Sequence, residues 1–128
     1  MCIRDSYSPN HISKLLSENT NVKGLCLDFG HAIKAAHSIG IPYKEYLNLF
    51  KQFNSQIFHV IDGLCNSEID IHMSIGDGDY DLKFVADYIE SMHNTIEPMV
   101  TLETPTYGDT IGNAVKNLNA FKEYLNVK

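Results

Sequence analysis

Three short apolar segments constrain this 128-residue chain more than any other feature. They are residues 24–29 (Gly-Leu-Cys-Leu-Asp-Phe), 56–62 (Gln-Ile-Phe-His-Val-Ile-Asp) and 99–103 (Met-Val-Thr-Leu-Glu). Each is too short for a buried helix and too continuously apolar for a strand with one face in water. Such runs read as strands covered on both faces, as in a parallel sheet.

Helical patterns separate them. Asn10 precedes Ile12, Leu15 and Leu16 and is the expected N-cap of a first helix. Residues 31–39 make a brief helical stretch stopped at Gly40. Pro42 then opens a helix carrying Tyr46, Leu47, Phe50 and Phe53 on one face. After a polar loop from Gly63 to about Asp79, Asp81 caps a helix marked by Leu82, Val85, Ile89 and Met92. Asp109 or Thr110 starts the closing helix, with Ile111, Val115, Leu118, Phe121 and Leu125 expected inward. The alternation of helix and strand predicts βα units around a parallel sheet. A doubly wound sheet and a barrel both satisfy it.

Each apolar segment ends in, or carries near its end, an ionisable side chain: Asp28, His59 with Asp62, and Glu103. A charge there costs desolvation unless it is paired or bound to a metal, and the C-terminal strand ends are where barrels build active sites. Taken singly, Asp28 reads as the cap of the next helix and His59 as a core histidine. Three strands behaving alike point to metal or catalytic use.

His31 follows Asp28 by three residues, and Asp70-Ile-His72 places two ligand-type side chains on one side of an extended segment. Carboxylates with imidazoles suit zinc or manganese, whereas all-oxygen sites suit magnesium or calcium. Gly76-Asp-Gly78 lacks the full spacing of a phosphate-binding loop and reads as a turn. His11, His37 and His93 have no partner at useful spacing and are assigned to the surface or to packing.

Composition narrows the function classes. The charge of −6 and the pI near 5.4 oppose a broad nucleic-acid footprint, which needs clustered Lys and Arg. Three cysteines far apart (Cys2, Cys26, Cys65) fit reduced thiols in the cytoplasm rather than a disulfide framework. No apolar run approaches the roughly 18 residues of a membrane span, so no membrane partner is expected. Residues 1–7 resemble an adapter-derived leader and are set aside.

Residues 26–32 (Cys-Leu-Asp-Phe-Gly-His-Ala), 58–62 (Phe-His-Val-Ile-Asp), 70–78 (Asp-Ile-His-Met-Ser-Ile-Gly-Asp-Gly) and 102–105 (Leu-Glu-Thr-Pro) together resemble a known pattern. It is that of the xylose isomerase-like superfamily, which includes sugar phosphate isomerases and epimerases and the endonuclease IV enzymes (AP endonuclease family 2). The resemblance implies a TIM (β/α)₈ barrel, with residues 8–128 as its C-terminal part and the three strands as its sixth to eighth. It implies Asp28, His59 and Glu103 as ligands of a divalent metal. His31, Asp70 and His72 are implied as ligands of a further zinc in the endonuclease branch. In sugar-acting relatives the histidine matching His31 contacts substrate, and Glu103 also serves as catalytic base.

A whole barrel has about 250 residues, so the implied metal site is incomplete here and lacks a Glu from the preceding strand. The expected activity is metal-dependent isomerisation or epimerisation of a sugar or sugar phosphate. The alternative is cleavage of DNA at abasic sites, the only reading with a DNA partner. Departures at Phe29-Gly30 and Val60-Ile61 place it second, while the oligomeric state is left open.

Overall fold

A computed structural model of the protein describes residues 8–22, 24–93 and 97–126, so the leader expected over residues 1–7 lies outside them. The three apolar segments pair as one parallel sheet of β1 (Cys26–Asp28), β2 (Ile57–Val60) and β3 (Met99–Leu102), with β2 central. The strands are shorter than the apolar runs that mark them, because pairing stops where the chain turns away.

The register sets Asp28 opposite His59, His59 opposite Thr101, and Val60 opposite Leu102. Side chains alternate across a strand. Leu27, Phe58 and Val60 therefore face one way with Val100 and Leu102, while Cys26, Asp28, Ile57, His59, Met99 and Thr101 face the other.

The first face carries the helices: α1 (Pro9–Glu18), α2 (Phe29–Ser38), α3 (Tyr43–Leu49), α4 (Leu82–Ser91) and α5 (Thr110–Lys122). A 3-10 turn, Phe50–Phe53, extends α3. Leu27, Phe58, Val60, Ile33, Leu47, Phe50 and Val85 are all essentially inaccessible. Phe29 stacks on Phe58 at 5.9 Å, and Tyr88 meets Phe29 edge-on at 5.4 Å. The Tyr88 hydroxyl donates to the Leu47 carbonyl at 3.1 Å, which satisfies its buried polar end. Gly30 lets the first turn of α2 approach β2 closely, since a Cβ there would lie 2.4 Å from Ile61 Cδ1.

Four expectations are corrected. The run at residues 99–103 is not covered on both faces, since no described element packs closely over β3 and Met99 and Val100 are 63% and 36% exposed. Ser8, not Asn10, caps α1 by accepting from the His11 amide, because Pro9 occupies the first helical position, where its missing N–H costs nothing. The second helix begins at Phe29, two residues before His31, with Asp28 as its cap. In α5, Asn117 and Phe121 turn inward, whereas Ile111, Val115 and Leu118 are 78%, 50% and 45% exposed. Those three form a stripe at helical spacing that no described element covers. Asp81 and Asp109 cap α4 and α5 as expected, and His11, His37 and His93 are exposed.

Candidate metal centre

Asp28 ends β1 and His59 lies beside it on β2. Glu103 follows β3, and its amide donates to the Val60 carbonyl at 3.0 Å, so the parallel pairing runs one residue further. Two residues beyond Thr101, Glu103 points to the same side of the sheet as His59. Asp28, His59 and Glu103 each offer a ligand atom, and these atoms all lie within 4.8 Å of one another.

The cap and ligand readings of Asp28 are compatible. Its Oδ1 accepts from the His31 amide at 3.0 Å and caps α2. Its Oδ2 lies 2.7 Å from His31 Nδ1 and 3.6 Å from His59 Nδ1. One oxygen starts the helix and the other faces the histidines.

The contacts continue around a closed ring. His59 Nδ1 is 2.9 Å from Glu103 Oε1. The Glu103 carbonyl is 2.9 Å from His72 Nδ1, and His72 Nε2 is 3.5 Å from Asp70 Oδ2. Asp70 Oδ2 in turn lies 3.2 Å from His31 Nε2, which returns the path to Asp28. The six residues implied as metal ligands thus meet at the C-terminal end of the sheet, Asp28 the most buried of them and His72 the most exposed.

The donor set fits a divalent ion. Metal–ligand bonds of ~2.0–2.2 Å put neighbouring ligand atoms ~3.3 Å apart, and the His59–Asp28 separation of 3.6 Å is close to that spacing. Asp70 Oδ1 is buried with no hydrogen-bond partner, a costly state for a carboxylate oxygen that a cation would relieve. Asp28, His59 and Glu103 form a first candidate subsite, and Asp70 with His31 and His72 on either side of it a second, looser one. An open cavity of about 390 Å³, lined by His72, Glu103, Thr104, Pro105, Thr106 and Tyr107, adjoins both.

Sequence reasoning missed what holds the loop that carries Asp70 and His72. Lys34 is buried on α2 and donates from Nζ to the carbonyls of Leu64 (2.5 Å) and Ser67 (2.7 Å). Desolvation by burial holds its pKa below the ordinary 10.5, against the pull of Asp70. Asn117 Oδ1, buried on α5, accepts from the Ile75 amide at 2.7 Å. A lysine inside the apolar run 32–36 and an asparagine on the inward stripe of a helix were the available signals.

A parallel α/β sheet with helical crossovers, bearing carboxylates and imidazoles at its C-terminal strand ends, belongs to the architectures that place chemistry at that end. Within that class, the structure is similar to one described as a D-tagatose 3-epimerase-like protein, with a TM-score of 0.62 at 18% identity. The match covers 96% of this chain and 45% of that one, so the chain spans less than half the length of the structure it matches. No protein-family model and no curated protein sequence matches the chain. At this identity the likeness establishes a shared fold.

Proposed function

We propose that the chain is the C-terminal part of a (β/α)₈ barrel of the xylose isomerase-like superfamily. In this reading it contributes to a metal-dependent sugar or sugar-phosphate isomerase or epimerase of the cytoplasm. The observation that carries the reading is the convergence of Asp28, His59 and Glu103 from three adjacent parallel strands onto one face. The fold shared with an epimerase-like protein supports it. So does the other content of that face. Ile57 and Met99 are 41% and 63% exposed there, as interior residues of a barrel would be without its remaining strands.

A divalent ion, zinc or manganese by donor type, would supply Lewis-acid polarisation of a sugar carbonyl. Asp28, His59 and Glu103 would hold it. Glu103, which lines the cavity, would take a proton from the carbon beside the carbonyl. His31, held between Asp28 and Asp70, would contact a substrate oxygen through Nε2 on releasing Asp70. The polar cavity walls at Thr104 and Thr106 suit a hydroxylated substrate.

One observation favours the second reading, cleavage of DNA at abasic sites. Asp70 between His31 and His72 makes a second ligand set beside the first, and phosphodiester cleavage uses adjacent metals. The net charge of −6 weighs against it.

The test is the protein extended by its upstream reading frame, loaded with zinc or manganese and assayed on a panel of ketoses and on an abasic duplex. Isomerisation that disappears in Glu103→Ala is expected. Duplex cleavage without isomerisation would transfer the function to the second reading, and full turnover in Glu103→Ala would remove the site itself.

A further inference from the structure

The loop between β2 and α4 has no helix or strand among its residues, yet it must hold Asp70 and His72 in place. Its organiser is Asp62. This carboxylate is 1% exposed and accepts four main-chain amides: Gly63 (2.8 Å) and Tyr80 (3.3 Å) on Oδ1, Gly76 (2.9 Å) and Gly78 (3.0 Å) on Oδ2. Its own carbonyl accepts from the Met73 amide at 2.9 Å, making the bridge that fixes the residue next to His72.

The glycine pair at 76 and 78 is therefore an anion cradle whose anion is internal. Gly76 has φ +91°, and a Cβ on Gly78 would stand 2.4 Å from Asp62 Oδ1, so the cradle closes only on glycines. Asp62 also lies three residues beyond His59. The end of β2 thus sets the first subsite through His59 and the second through the loop gathered on Asp62.

Resting on the reading of His31, Asp70 and His72 as a second ligand set, we propose that Asp62 is a positioning residue for that subsite: it binds no metal itself but presets Asp70 and His72 against His31. Hydrogen-bonded partners that orient ligands typically change metal affinity 10–100-fold when lost. Asp62→Asn keeps the shape but turns an amide –NH₂ toward N–H donors that need an acceptor.

The experiment is zinc titration of the chain and of Asp62→Asn, followed by the ring ¹⁵N resonances of His31, His59 and His72. Circular dichroism confirms folding at each step. Native protein is expected to ligate His59 at one equivalent and His31 with His72 at a second. In Asp62→Asn the second affinity should fall about 10–100-fold while the first holds. Val85→Ala, a core truncation remote from the loop, serves as the stability control and should lower Tm without moving either affinity. Unchanged affinity at the second subsite in Asp62→Asn, or an equal loss at both, would overturn the proposal. Failure of the native chain to bind zinc at any of the six residues would instead overturn the metal-centre reading beneath it. Should Asp62→Asn not fold, Gly78→Ala presses a methyl on the same carboxylate and is expected to give the same selective loss.

Discussion

Asp28 and His59 are register partners on adjacent parallel strands, and their side chains meet with Oδ2 and Nδ1 3.6 Å apart. The pairing makes the first subsite a property of sheet register. A slip of one residue in either strand would send that strand's side chain to the helical face. Because Asp28 Oδ1 is committed to capping α2, the two oxygens of one carboxylate can be separated by substitution.

Asp28→Asn should leave the cap in place, since asparagine caps as well as aspartate, whereas Asp28→Ala should cost about 1 kcal/mol or more from the lost cap. Both should lose zinc affinity at the first subsite. Urea denaturation and zinc titration on the same pair of variants separate the two roles. An asparagine variant that binds zinc like the native chain would show that the carboxylate is a cap only.

Asn117→Ala leaves the buried Ile75 amide without an acceptor, and an unmet buried donor costs about 1–3 kcal/mol. Denaturation should show that loss. Amide exchange should show Ile75 deprotected more than the amides of β2. Protection at Ile75 equal to the native value would mean that the loop does not depend on α5.

Asp81 caps α4 and pairs with Lys44 at 2.5 Å. The Lys44 hydrogen bond, followed by the Phe84 amide, holds its carboxyl below the ordinary 3.8. A lowered carboxyl contributes stability that is present above the unfolded value and is lost as pH falls through the folded one. Asp81→Asn should therefore narrow its gap to the native chain below about pH 4, read from urea midpoints across acid pH. A gap constant with pH would remove the charge contribution.

Burial, with the Asp79 hydrogen bond and charge behind it, pushes the Cys65 thiol from 9.0 to about 11. Between those values the unfolded thiol has ionised and the folded one has not, so stability falls as pH rises through that window and is unaffected below it. Cys65→Ala should lack this alkaline loss in denaturation midpoints. Identical alkaline profiles would exclude the thiol as its source.

How much was legible in the sequence depends on whether local pattern or distant packing decides a feature. Period and composition determined the element order: the short apolar runs around Leu27, Phe58 and Val100 are strands, though β3 is left largely exposed, and Asp81 and Asp109 cap helices through bonds to amides three residues on. Chemistry at the strand ends marked Asp28, His59 and Glu103, because an ionisable group beside an apolar run demands a partner. Tertiary structure decided what pairs with what. The strand register placed Asp28 against His59 and brought His31, Asp70 and His72 into one ring, since contacts spanning dozens of residues leave no trace in local spacing. It also turned Ile111, Val115 and Leu118 outward while Asn117 went in, because helix rotation is set by the neighbour packed against it and not by the stripe alone. And it alone showed that the Gly76-Asp-Gly78 turn closes on Asp62, a carboxylate 14 residues before its first glycine.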